Sequence, residues 1–183
     1  MVILGLACVV GGFLGGVIYS DRVYESLQQQ EGVQSVGMPE GHPDVMEMMD
    51  PELQSLLEKA SQVPRDPFLQ KKLGDKFAEM GLYERAVGYY EASLKLTGHQ
   101  PEVWVDCGIM YRNLGQKEKA FQYIQRGLKE DPKLALGWYN LGVVLYHDMN
   151  NPKEAKRAWQ KYIQMEPTTS QSSSLQVWLE STQ

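Results

Sequence analysis

The pentapeptide LGDKF at residues 73–77 recurs as CGIMY at residues 107–111 and as LGVVL at residues 141–145. Each glycine therefore stands 34 residues after the glycine of the preceding copy. In every copy, one apolar residue stands directly before the glycine and another stands three residues after it. These two residues are four positions apart, which places both on one side of an α-helix. A fixed period of this length is typical of architectures built by stacking one supersecondary unit.

Other small and large residues follow the same period. An alanine stands twelve residues after each of the first two glycines and thirteen after the third, because one extra residue falls within HDMNNP at residues 147–152. We expect this insertion to lengthen one turn. We expect the small residues to let two antiparallel helices approach closely, and the large residues to fill the seams. The structural positions predicted in this way are Gly74, Ala86, Trp104, Gly108, Ala120, Trp138, Gly142 and Ala155.

These positions together resemble the tetratricopeptide repeat, over Pro67 to Pro167. The resemblance implies an all-α fold in which three helical hairpins form a right-handed superhelix. Its repeats are expected at residues 67–100, 101–134 and 135–167, within a repeat region of 66–167.

Further helices are predicted on both sides of the repeats, since the terminal units of a solenoid need covers. Residues 50–65 begin with Asp50 and Pro51, a good helix start, and carry an apolar stripe from Leu53 to Ala60. We interpret them as an N-terminal capping helix. Residues 168–183 are interpreted as a polar loop and a C-terminal capping helix that carries Trp178.

The first twenty residues are predicted to be a transmembrane anchor. Val2 to Tyr19 is an uncharged run of eighteen residues, which as a helix spans roughly 27 Å and matches a hydrocarbon core. A cleaved signal peptide is the alternative, although no basic residue precedes the run. We predict a single-pass protein of the cell (inner) membrane, inserted through residues 2–19, whose C-terminal domain is periplasmic or, alternatively, cytoplasm-facing. Paired glycines in the run also permit a homo-oligomer through the anchor.

Residues 21–49 are predicted to be a flexible tether, because they are acidic, polar and interrupted by glycine and proline. The whole chain has a net charge of −5 and contains no concentrated basic stretch. Nucleic-acid binding proteins usually carry such a stretch, so we expect no nucleic-acid partner.

No motif for catalysis, metal binding or cofactor binding is evident, so the protein is not expected to be an enzyme. The three histidines are scattered, and neither cysteine has a metal-ligand spacing to any of them. Cys107 takes an apolar position of the repeat, which predicts a buried structural thiol. His42, in a Gly-His-Pro turn, stays open as a haem or metal contact or as a solvated side chain. No cofactor is predicted.

The resemblance also implies a concave groove, lined by the first helix of each repeat, that binds an extended or helical segment of another protein. The residues expected there are an apolar floor of Val105, Ile109, Tyr139 and Val143, a rim of Lys71, Arg112 and His147, and the carboxylate of Asp75.

Chaperone-binding members of this family hold a terminal carboxylate with a clamp of basic and amide side chains. Here only Lys71 matches that clamp. Asp75 replaces its asparagine, and Leu136 and Asn140 replace its last two basic positions. We therefore expect the clamp to be absent.

The predicted function is that of a membrane-tethered adaptor whose groove binds a partner protein, in envelope protein or c-type cytochrome assembly. An anchor before a short array, with the AxxxWxKY stretch at residues 155–162, resembles the anchored repeat subunits of bacterial c-type cytochrome maturation, which hold the apocytochrome for haem attachment. Two alternatives remain open. The array is a self-associating scaffold of a membrane or secretion complex, or the tether or C-terminal helix fills the groove.

Overall fold

Residues 51–181 are described by a computed structural model, and they are helical throughout apart from short connections. They contain eight α-helices, one π-helical turn and no strand. The helices are α1 (Pro51–Gln62), α2 (Pro67–Glu79), α3 (Tyr83–Leu96), α4 (Pro101–Asn113), α5 (Lys117–Glu130), α6 (Ala135–Val143), α7 (Pro152–Met165) and α8 (Ser170–Ser181), with the π-helical turn at Val144–Asp148. This confirms the predicted all-α repeat fold.

The predicted anchor at residues 1–20 and the predicted tether at residues 21–49 lie outside the described residues. So does His42. Among the helices of residues 51–181, none has the length and apolar character needed to cross a bilayer.

The chain divides into two compact units, Met1–Pro64 and Arg65–Gln183. Helix α1 belongs to the first unit and lies within the stretch predicted as a capping helix, residues 50–65. Its role as a cap of the repeats stays a prediction. The second unit holds the three hairpins, which are formed by α2 with α3, α4 with α5, and α6 with α7.

Each hairpin closes where a glycine of its first helix meets a large side chain of its second. A Cβ atom on Gly108 would lie 2.7 Å from Cγ1 of Ile124 and 3.0 Å from the carbonyl oxygen of Ala120. Gly74 lies against the ring of Tyr90 in the same way, and Gly142 lies against the indole of Trp159. Any side chain at these glycines would push the two helices apart.

The turns inside the hairpins explain how the inserted residue is accommodated. Gly81 and Gly115 end α2 and α4 with φ of +74° and +73°, and Asn150 takes the equivalent place with φ of 51°. The first two turns close with bonds to the carbonyl five residues back, whereas Asn151 donates to Leu145, six residues back. The extra residue is thus absorbed by a π-helical turn at the end of the first helix.

The two repeat tryptophans lie half-buried, each under a cationic side chain. The indole of Trp104 packs 5.2 Å from the ring of Tyr123, with Arg126 above it. The indole N–H of Trp138 donates to the carbonyl of Pro132 at 2.9 Å, and the ammonium of Lys161 stands 3.7 Å from the ring centre. These contacts join α5 to α4 and α7 to α6.

Helix α8 packs beside the third repeat through Trp178. Its ring meets Trp159 and Tyr146 edge-on, with a centroid distance of 5.1 Å in both pairs. The stretch predicted as a polar loop is mostly helical, because the hydroxyl of Thr169 accepts the backbone N–H of Ser172 at 3.1 Å and starts the helix.

Alanine substitution of two helical glycines tests the close approach within the hairpins. Gly108→Ala should lower the free energy of unfolding by about 1–3 kcal/mol, since the new methyl group would press on a backbone carbonyl. Thermal or urea denaturation followed by circular dichroism measures the change.

Gly88→Ala is the matched control. Gly88 lies inside α3, and nothing stands within 4 Å of an added Cβ. This substitution should raise stability by about 0.5–1 kcal/mol through helix propensity alone. Equal effects of the two substitutions would contradict the packing described for Gly108.

Candidate peptide-binding surface

The first helices of the three repeats present one continuous surface, because ion pairs connect each helix to the next. The ammonium of Lys71 on α2 lies 3.9 Å from the carboxylate of Asp106 on α4. The guanidinium of Arg112 on α4 binds Asp148 in the π-helical turn at 2.5 Å.

We name this face the first-helix surface. It comprises these ion-paired side chains together with side chains at the repeat positions expected to face the concave side. Its members are Phe68, Lys71 and Asp75 of α2; Glu102, Asp106, Ile109 and Arg112 of α4; and Leu136, Tyr139, Val143, Tyr146, His147 and Asp148 of α6 and the π-helical turn.

Val105 does not belong to this surface, so its prediction as a floor residue is wrong. Its side chain is only 4% exposed. It is covered because Gly127 and Gly137 have no side chains: a Cβ on Gly127 would lie 2.8 Å from Val105 Cγ2, and one on Gly137 would lie 3.4 Å from it. Val105 is a core residue between the second and third repeats.

The other predicted floor residues are half-buried. Ile109 and Val143 keep part of their side chains open to solvent. Tyr139 packs its ring 5.2 Å from Tyr162 and borders a shallow hollow of about 280 Å³ lined also by residues of α8. The surface is therefore apolar along α6 and at Ile109 of α4, and its floor is narrower than predicted.

Two large apolar side chains of this surface are far more exposed than its floor. Phe68 of α2 is 72% exposed, and Leu136 of α6 is 61% exposed. They occupy the same position in the first and third repeats, where the second repeat has Glu102. Their repeat position predicts that both point to the concave face, although neither was expected to belong to the floor or the rim.

The predicted cationic rim is neutralised. Lys71 Nζ binds both carboxylate oxygens of Asp75, at 2.9 and 2.7 Å, and Tyr90 donates to the same carboxylate at 2.9 Å. Arg112 is held by Asp148. His147 is exposed and meets Tyr146 edge-on at 4.9 Å. A ligand with a free carboxylate thus finds neither Lys71 nor Arg112 available.

Asp106 is a carboxylate in unfavourable surroundings. Burial raises its pKa to about 6, and the negative charges of Asp75 and Glu102 add to that shift, while Lys71 opposes it. Cys107, the next residue, is buried, and burial raises the pKa of its thiol well above the ordinary value. That thiol is placed for packing and not for nucleophilic attack.

Metal binding has no support within residues 51–181, because no group of three or more histidine, cysteine or carboxylate side chains there is arranged so that it could hold a metal ion. The surface instead offers apolar anchors, paired charges and one poorly compensated carboxylate. Such a combination suits noncovalent recognition of a polypeptide.

Comparison with known proteins identifies the repeats. Residues 101–134 match a family model described as tetratricopeptide repeat, and residues 137–169 match a second model of the same description. The chain therefore contains tetratricopeptide repeats. Photosystem I assembly protein Ycf3 of Acaryochloris marina is 26% identical over 137 residues, which cover 66% of this chain and 81% of that protein. Two longer curated relatives are matched over only 13% and 18% of their own length.

Solved structures with low sequence identity share the fold. The crystal structure of MamA matches with a TM-score of 0.62 at 21% identity, over 72% of this chain and 77% of that one. The first tetratricopeptide domain of Spaghetti (RPAP3), bound to the HSP90 peptide SRMEEVD, matches with a TM-score of 0.59 at 15% identity, over 63% and 90% of the two chains.

The raised pKa of Asp106 predicts that Asp106→Asn stabilises the protein at neutral pH. A pKa of about 6 when folded, against an ordinary 3.8, means that the folded state binds more protons between these values. Stability from this group is therefore highest below about pH 4 and is lost as the pH rises through 6. Asparagine removes that loss, so at pH 7.5 the melting temperature of Asp106→Asn should be higher than that of wild type. At pH 5 the two melting temperatures should lie closer together.

Glu118→Gln is the control for the change in net charge, because Glu118 is exposed on α5. It should leave the melting temperature nearly unchanged at both pH values. A lower melting temperature of Asp106→Asn at pH 7.5 would contradict the assigned environment of Asp106.

Proposed function

We propose that this protein is a membrane-tethered adaptor that holds an extended or helical segment of a partner protein on its first-helix surface. The observation that carries the proposal is the exposure of Phe68 and Leu136 at equivalent repeat positions, beside the half-buried Ile109 and Val143. Large apolar side chains in water are costly unless a partner covers them, and a row of them across three helices fits a bound polypeptide.

Peptide binding by structural relatives supports this role. The two domains of RPAP3 that resemble this chain were solved with peptides of HSP90 and HSP70. Their low identity, 15% and 18%, supports a shared fold and not a shared ligand. We therefore carry over the use of the surface and not the identity of the peptide.

The membrane tether is part of the proposal and depends on the apolar run at residues 2–19. Anchoring raises the effective concentration of the first-helix surface for partners in or near the same bilayer, so that a weak contact suffices. We propose the periplasmic orientation, as the sequence suggests.

Assembly of membrane or envelope proteins is the proposed context, and the relative named as a photosystem I assembly protein supports that class. The proposal that the partner is a c-type cytochrome depends only on the order of an anchor followed by a short repeat array. The AxxxWxKY stretch supplies packing instead, because Ala155, Trp159 and Tyr162 are buried and Lys161 covers Trp138.

Site-specific photocrosslinking in native membranes tests the proposal. The full chain would carry p-benzoylphenylalanine in place of Phe68 or Leu136, and crosslinked proteins would be identified by mass spectrometry. We expect the same partner from both positions, because one bound segment should cross α2 and α6. The adduct should fall at least severalfold when Ile109→Glu is added, since a buried charge in the floor opposes apolar docking.

Val177 provides the matched control position. It is 69% exposed on α8 and equally apolar, but it does not belong to the first-helix surface. Photocrosslinking there should not give the same partner. Equal adducts from Val177 and Phe68 would contradict a specific surface, and a crosslinked dimer of this chain from Val177 would favour the self-associating scaffold.

A further inference from the structure

Asp106 is a half-buried carboxylate whose charge is poorly compensated. Its side chain is 36% exposed, and the nearest cation, Lys71, stands 3.9 Å away. That ammonium is already bound to Asp75 at 2.7 Å. Within residues 51–181, no hydrogen bond to the Asp106 carboxylate accompanies this distant ion pair.

The carboxylates near Asp106 add further negative charge to its surroundings. Asp75 lies across on α2, and Glu102 lies one helical turn earlier on α4. Asp75 and Asp106 therefore share one lysine, and the charges of Asp75 and Glu102 oppose ionisation of Asp106. Lys72 occupies in α2 the repeat position of Asp106 in α4 and is exposed; among the described residues, Lys71 and not Lys72 forms the ion pair with Asp106.

Exposed and half-buried apolar side chains belong to the same surface as these carboxylates. Phe68 and Leu136 stand at the repeat position of Glu102 on the neighbouring first helices, and both are exposed. Ile109 follows Asp106 by three residues on the same face of α4.

We propose that the bound segment is cationic as well as apolar. A lysine or arginine of the partner extends to Asp106 and Glu102, and its apolar neighbours contact Phe68, Ile109 and Leu136. The inference rests on the proposed function, because it names the chemistry of the segment held on the same surface. Charge complementarity selects this occupant. The surface carries four carboxylates, Asp75, Glu102, Asp106 and Asp148, but only the two cations Lys71 and Arg112, and both cations are already in ion pairs. A basic side chain of the partner offsets that excess of negative charge.

Acidic peptides fit this surface poorly. Lys71 is the one basic residue that matches the carboxylate clamp, and Asp75 already holds it. The only other arginine or lysine of the surface, Arg112, is bound to Asp148. A peptide such as SRMEEVD would place its carboxylates beside Asp75, Asp106 and Glu102, where like charges repel.

Selection from a random library tests the inference without assuming a sequence. A phage-displayed library of dodecapeptides would be selected against the full chain in mild detergent. We expect recovered peptides to be enriched in lysine or arginine next to leucine, isoleucine or phenylalanine. By fluorescence anisotropy, a selected peptide should bind Asp106→Asn about tenfold more weakly than wild type, while Glu118→Gln binds it equally.

The combination of readouts separates recognition from folding. Asp106→Asn is expected to be more stable than wild type, so a loss of affinity with a raised melting temperature is a result that a merely structural role would not produce. Glu102→Gln, at an exposed position, should weaken binding in the same direction and keeps the test valid if Asp106→Asn misfolds.

Two results would overturn the inference. Recovery of acidic or uncharged peptides, or unchanged affinity of both variants for a basic peptide, would show that cationic character is not selected. If Ile109→Glu still abolishes recovery in that case, the proposed peptide-binding function stands and only its cationic specificity fails. If Ile109→Glu leaves recovery unchanged, the proposed function fails with it.

Discussion

Close contact between paired helices at three glycines is the constraint on which the rest of the structure depends. Gly74, Gly108 and Gly142 each accept a large side chain of the second helix at distances that no Cβ would permit. This contact sets how far apart the helices of a hairpin lie. It also turns the opposite face of the first helix outward, so α2, α4 and α6 expose their side chains in one row. The candidate binding surface is a consequence of that packing.

The helices and their register could be predicted from the sequence, because such backbone contacts tolerate few residue types. A glycine with an alanine twelve positions later marks a hairpin whatever the surface residues are. The insertion in the third repeat shows the limit of this reasoning. Its presence was evident from the spacing, but a longer loop and a π-helical turn satisfy the spacing equally. Asn150, with its positive φ, keeps the helix ending used by Gly81 and Gly115, so the extra residue widens the preceding turn.

The binding surface was less predictable, because it depends on contacts between repeats. Burial of Val105 requires Gly127 and Gly137, which come from two other helices and allow a close approach that no single repeat reveals. The loss of the cationic rim likewise depends on which carboxylate each basic group reaches. Lys71 pairs within its own helix, whereas Arg112 pairs with the next repeat. Position within a repeat predicts where a side chain lies, but not what neutralises it.

The perpendicular contact between Trp159 and Trp178, with ring planes at 87°, gives the last helix an intrinsic optical probe. Two of the four tryptophans of the chain meet there, so detachment of α8 would hydrate both indoles together and change the emission of each. The other two belong to α4 and α6 and report on the interior of the array. Intrinsic fluorescence can therefore distinguish fraying of the C-terminal end from unfolding of the whole stack, with no label added.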